Sequence, residues 1–356
     1  MRLDGGSNAW SSHAPVSPPV LARRERSGRL PLAAVRPDYE LIPVNGGRLT
    51  LNGRAAPASA GDICAVSYRA ELRPSYREVL SHLFTRHASV VLRARITGGR
   101  SVDDYEAVGL EHTAWALDSA TAAAAGLLGH QVREVGGGAL VDAVRGDTVG
   151  VAEGDIVVAV DGRPVATAIE LRSALAGQNA VELGLLRTLP DGHPDAPRTA
   201  RLARHPDGTW GIRVVTAERR LEHGLRAEFD LPDDLRGPSL GLACALSIID
   251  AGTGGSLATG GTVVATGTVD LAGRVGGVGA IDYKAWAVRS HPHVRRFLVP
   301  AEVPADVEDA RRVLGGRVEV VAVTTLAEAV KVLHRPSRRS GNPIHRSADR
   351  WTGAAM

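Results

Sequence analysis

Gly237-Pro238-Ser239-Leu240-Gly241 opens directly onto an apolar run, residues 240–249, that Asp250 ends. The run is long enough for a buried helix and falls short of the ~18 to 20 apolar residues of a membrane span. A turn fixed by Gly237 and Pro238 thus leads into a helix, with Ser239 at its N-terminus. Backbone amides left unpaired there can hold a developing negative charge, and Gly241 permits close backbone approach. Gly237, Pro238 and Leu240 are accordingly candidate oxyanion or substrate-binding positions. Taken alone the motif also reads as an ordinary N-cap, a role serine fills very often.

A second stretch, residues 263–286, supplies a partner. It contains Ala265-Thr266-Gly267-Thr268-Val269-Asp270, then Gly273-Arg274-Val275, then Gly279-Ala280-Ile281-Asp282-Tyr283-Lys284-Ala285. Lysine is rare in this chain, where arginine fills most basic positions, so Lys284 stands out. Its neighbours Ala280, Ile281, Ala285 and Trp286 form surroundings able to bury an ammonium and lower its pKa. Around both stretches strands and helices alternate. Strands are expected at 211–215, 226–229, 262–268, 296–299 and 318–323, and helices from 239 and 281 and at 305–314 and 326–333, an α/β pattern.

Upstream, residues 39–44, 48–51 and 63–66 read as short strands broken by Asn45-Gly46-Gly47 and Asn52-Gly53, and residues 74–87 and 103–128 as helices. Between 130 and 205 the pattern is strands around one short helix at 167–175. Its clearest part is Glu153-Gly154-Asp155-Ile156-Val157-Val158-Ala159-Val160-Asp161-Gly162-Arg163-Pro164-Val165, which resembles a bacterial PDZ domain. That resemblance implies peptide binding by strand addition, with Gly136, Gly137 and Gly138 as the loop receiving a C-terminal carboxylate. The same glycines also read as a plain connecting loop.

Gly-Pro-Ser-x-Gly followed, beyond a Thr-Gly turn and a Gly-rich loop, by Lys284 resembles the catalytic domain of the Lon proteases. With the segments before it, the chain looks like the PDZ-containing Lon-like peptidases of Gram-positive bacteria over residues 38–335. The resemblance implies Ser239 as nucleophile, Lys284 as general base and Thr266 as a hydroxyl bonded within the dyad. A free lysine is neutral too rarely at pH 7 to take the serine proton. Burial must therefore lower its pKa by about 3 units, at a cost of about 4 kcal/mol. Three departures stand out: Leu240 where a small residue follows the serine, Arg236 where glycine or aspartate is usual, and Gly277-Val278-Gly279-Ala280 before the lysine. Leu240 is expected to narrow the cleft, and Arg236 either to repel the Lys284 ammonium or to face solvent.

The expected organisation is multidomain, α/β and α+β. Disordered tails span 1–36 and 336–356, a small N-terminal β element with helices 37–129, a PDZ-like β domain 130–205 and a Lon-type α/β proteolytic domain 206–335. A hydrophobic content of 44% against 23% charged residues places the chain among globular proteins, and a net charge of +3 over 356 residues leaves no basic face for nucleic acid. Cys64 and Cys244 each lie in an apolar run and read as core. His291 and His293 have no third ligand near in sequence, so neither metal nor cofactor is assigned. No Gly-x-x-x-x-Gly-Lys-Ser/Thr segment occurs, so proteolysis is expected to be ATP-independent, on protein or peptide substrates. Residues 1–35 lack the apolar core of a signal peptide, which reads as cytoplasmic; a longer N-terminus would make room for a membrane anchor and an extracellular location. A homo-oligomer stays open, as does the alternative of a catalytically weak PDZ/Lon-like binding or assembly scaffold.

Overall fold

A computed structural model describes residues 31–187, 195–259 and 261–334. The expected C-terminal tail and most of the N-terminal one lie outside these. The first part of the chain forms β1 (Leu32–Pro43), β2 (Leu49–Leu51), β3 (Arg54–Ala55), β4 (Ile63–Glu71), α1 (Tyr76–Phe84), β5 (Ser89–Leu92), α2 (Arg93–Thr97) and α3 (Val102–Leu127). The middle forms β6 (Arg133–Val135), β7 (Ala139–Val144), β8 (Asp155–Val160), β9 (Arg163–Pro164), α4 (Ala168–Leu175), β10 (Ala180–Arg187), β11 (Arg198–Ala203) and β12 (Ile212–Thr216). The last part forms β13 (Arg220–Glu222), β14 (Ala227–Phe229), α5 (Gly241–Gly252), β15 (Thr262–Ala265), β16 (Thr268–Val269), β17 (Val275–Gly276), α6 (Ile281–Arg289), β18 (Val294–Pro300), α7 (Pro304–Leu314), β19 (Glu319–Val323) and α8 (Leu326–Leu333).

The main sheet has the order β19-β18-β15-β4-β1-β5. Strands β19, β18, β15 and β4 run parallel, and β1 and β5 close the far edge antiparallel. Its side chains alternate between two cores, as the period of a strand requires. Ile63, Ala65, Val263, Ala265 and Leu298 join α3, α5 and α8 on one face, while Cys64, Val66, Val264, Phe297 and Val299 join α6 and α7 on the other. Both cysteines are thus core residues, and burial pushes the Cys64 thiol up to about 12, far from a reactive thiolate.

This pairing corrects the expected division of the chain. The N-terminal strands do not form a separate small β element, because β4 pairs in parallel with β15 and β1 extends the same sheet. The physical reason is that a two-stranded ribbon buries too little alone. Buried Asn45 fastens the join: its Nδ2 donates to the Gly61 carbonyl at 2.9 Å and its Oδ1 accepts from Ile63 N at 3.0 Å. Strand β1 also begins at Leu32, inside the expected tail, since Ala33, Ala34 and Val35 are buried against β4 and β5. Pro37 is accommodated at a register shift, where a missing N–H breaks no ladder bond. Strand β5 and helix α2 were not foreseen.

The middle of the chain is an insertion between α3 and β14 with its own antiparallel sheet, order β11-β10-β8-β7-β12, β9 on β8, and its own core under α4. Here too an expected boundary moves. Strand β12, expected in the proteolytic domain, pairs with β7 and closes this second sheet, so the sheet extends past residue 205 to Thr216. The chain leaves and re-enters the main body through a two-stranded neck, β6 against β13. Among the described residues no helix is long and apolar enough to cross a membrane.

Candidate active site

Ser239 lies in a single 3-10 turn, Pro238–Leu240, that feeds α5. Gly237 precedes the turn with φ +95°, a backbone region open to glycine and costly to other residues. Pro238 occupies the first helical position, where its missing N–H costs nothing. Ser239 is half-buried. Its carbonyl is held from the far side by Gly267 N at 2.9 Å and by Thr266 Oγ1, which donates at 3.3 Å. Gly267 in return accepts from Leu242 N at 2.9 Å. A Cβ on Gly267 would stand 2.8 Å from Val275 Cγ1, so a larger residue here would press on β17.

Thr266 follows β15, beyond the carboxyl end of a parallel strand, where α/β sheets open a crevice. Its side chain is fully buried and accepts a hydrogen bond from Lys284 Nζ at 3.1 Å. Lys284 lies in α6, on the opposite face of the sheet from α5, and is 1% exposed. Thr266 therefore bridges the Ser239 turn and the lysine. Burial pushes the Lys284 ammonium down from its ordinary 10.5 to about 7, and the pull of Asp306 in the other direction is smaller. Asp306 is itself pushed up, first by burial and then by Asp309 and Asp282. The loop before α6 is shaped by Glu302, whose Oε2 accepts from Gly277 N at 2.5 Å. Ala280 caps α6 with φ +60°, in left-handed backbone.

The expectation for Leu240 is corrected here, and the open reading of Arg236 closes. Leu240 is 3% exposed and joins the core with α5, so its side chain lines no cleft. Arg236 is exposed and donates to the Asp233 carbonyl at 2.5 Å and the Leu235 carbonyl at 3.0 Å, its solvent-facing alternative.

The expected carboxylate loop is corrected. Gly137 N donates to the Ala217 carbonyl at 2.9 Å and Gly138 N to the Ala166 carbonyl at 3.0 Å, so neither amide is free for a peptide terminus. These glycines are needed for space: a Cβ on Gly136 would lie 2.4 Å from Thr216 Cγ2, and one on Gly138 2.7 Å from the Val157 carbonyl oxygen. They belong to the insertion, and the Ser239–Thr266–Lys284 constellation to the main body.

Sequence reasoning missed the support behind the serine. Gly237 N donates to Thr113 Oγ1 at 2.9 Å and to the Gly109 carbonyl at 3.2 Å, both on α3. The one sequence signal was a glycine in the middle of a long helix, which without a packing reason costs stability.

Residues 228–335 match the family model of the Lon protease (S16) C-terminal proteolytic domain. That segment is similar to a Lon-type proteolytic domain, which supports a serine peptidase activity. The match takes in α5 to α8 and leaves α3 and the insertion outside it. No curated protein matches the chain.

Proposed function

We propose that the protein is an ATP-independent serine endopeptidase in which Ser239 is the nucleophile, Lys284 the general base and Thr266 the hydroxyl that orients the lysine. The observation carrying this reading is a fully buried lysine whose Nζ is tied to Thr266, itself bonded to the serine turn. A lysine with a pKa near 7 is neutral in useful amounts at physiological pH. Thr266 takes one N–H of the amine and leaves its lone pair for the Ser239 proton.

Ser239 Oγ attacks the scissile carbonyl carbon as its proton passes to Lys284 Nζ. The resulting ammonium gives that proton to the departing amine, and the C–N bond breaks to leave an acyl-serine. Water then attacks the ester, losing a proton to Lys284, and the alkoxide of Ser239 recovers that proton as it leaves. Of the expected oxyanion positions, Gly237 N is held by Thr113 and Gly109 and Pro238 has no N–H, so neither offers a free amide to the oxyanion. No step draws on a nucleotide, so substrates are loose chains, exposed termini or flexible loops.

The insertion, by its strand order and its Gly-Asp turn, is read as a PDZ-like recruiting module. Strand β7 is interior, covered by β8 and β12, so an extended chain has to add at one of the edge strands, β11 or β12, of which β12 lies beside α4. A fluorophosphonate probe tests the catalytic reading. It should label the wild-type protein at one serine and leave Ser239→Ala unlabelled, with peptide hydrolysis down at least ~10³-fold. Labelling that persists in Ser239→Ala overturns the assignment.

A further inference from the structure

We infer that Thr113, on helix α3 and outside the segment that matches the proteolytic family, is a positioning residue for the nucleophile. The inference rests on the reading of Ser239 given above.

Pro238 has no N–H, so the amide of Gly237 is the last backbone donor before Ser239 by which the incoming chain can be held. Glycine is also the residue that most needs holding, because it has the widest choice of backbone conformations. The Thr113 hydroxyl meets both needs. It accepts from Gly237 N at 2.9 Å and donates to the Gly109 carbonyl at 2.9 Å, with the Gly237 carbonyl at 3.4 Å. One hydroxyl thus joins the turn to a rigid helix that is buried along its later half.

The helix is shaped for this contact. A Cβ on Gly109 would lie 3.3 Å from Arg236 Cβ, so a larger residue there presses on the turn one residue before Gly237. Downstream, Ser239 is held by Gly267 and Thr266. The serine therefore sits between two anchors, one from β15 and one from α3. Misplacement of a nucleophile by about 1 Å costs on the order of 10²-fold in rate, and loss of the Thr113 hydroxyl, which leaves the α3 anchor only the longer bond from Gly237 N to the Gly109 carbonyl at 3.2 Å, should cost part of that.

The test compares Thr113→Val, which keeps the shape and removes the hydroxyl, with Thr113→Ser, which keeps the hydroxyl. In Thr113→Val, kcat on a short peptide and the rate of fluorophosphonate acylation should each fall about 10-fold, with KM within about twofold. Thr113→Ser should restore both. Should Thr113→Val melt below the assay temperature, Gly109→Ala, which leaves the hydroxyl in place and pushes the turn, should lower acylation in the same way. Equal losses in Thr113→Val and Thr113→Ser, or a fall in KM alone, overturn the inference, since they point to side-chain packing or to substrate contact. So does wild-type acylation in Thr113→Val or, where that variant is unfolded, in Gly109→Ala. Ser239→Ala keeps the two readings apart: turnover surviving in it overturns the nucleophile, whereas an inert Ser239→Ala beside an unimpaired Thr113→Val overturns Thr113 alone.

Discussion

Two buried ionisable side chains, one in each half of the molecule, are treated in opposite ways. In the insertion, Asp155 is fully buried and fully answered: Arg187 Nη2 stands 2.7 Å from it, Arg198 bonds its other oxygen, and Ala152 N donates to it at 2.8 Å. In the main body, Lys284 is as deeply buried and has a threonine hydroxyl as its hydrogen-bond partner. A charge taken out of water with its counter-charges holds a fold together, while one taken out of water without them gives up its proton. The first arrangement organises a domain, and the second leaves the amine that the proposed mechanism uses as its base.

The sharpest way to break this contrast is Lys284→Met. Hydrolysis should fall by about 10⁴-fold. Relieved of the burial penalty, the variant should also be more stable at pH 7, by on the order of 4 kcal/mol, in a urea melt. A destabilised Lys284→Met would mean that the lysine is structural. The mirror experiment, Asp155→Ala, strands two arginines that are each about a third exposed, and should cost about 3 kcal/mol. Measured by denaturant unfolding, that loss should be confined to the insertion, with cleavage of a short peptide at Ser239 retained.

Acidity separates the two halves more gently. Below about 7 the folded lysine is protonated, so kcat/KM should drop about tenfold per pH unit there and level off above it. The folded-state pKa lies below the unfolded one, so the unfolded chain binds more protons between about 7 and 10.5. The contribution of Lys284 to stability therefore rises with pH across that window. A flat pH–rate profile from 5 to 9 would remove Lys284 as the base. The smallest effect is in the backbone. The insertion uses glycine at Gly138, φ +129°, whereas the main body tolerates Ala280 at φ +60°. Ala280→Gly should gain about 1 kcal/mol, read as a higher melting temperature with little change in rate.

What the sequence made legible was local. The run into α5 is continuous, and Gly237-Pro238-Ser239 sits against it, so turn, helix and candidate serine could all be placed from neighbouring residues. Lys284 was legible because lysine is rare here and its flanks are apolar. Pairing over long separations was not legible. Nothing in Ile63–Glu71 says that its partner is Thr262–Ala265 rather than a nearby hairpin strand, because both are short apolar runs with the same period. The same ambiguity hid β12, whose five residues fit either sheet by pattern and find theirs through β7. The hold of Thr113 on Gly237 was equally hidden, since a threonine on a helix surface carries no mark of what will be laid against it.

The neck between the halves has a consequence of another kind. Arg133 lies opposite Glu222 across β6 and β13, so the two ends of the insertion meet as neighbours. To the main sheet, everything between them is one loop, however much structure it contains, and loops of this sort tolerate insertion and exchange. The insertion is in that sense a cassette: another module with adjacent termini, grafted between Arg133 and Glu222, would leave the register of every strand in the main sheet unchanged.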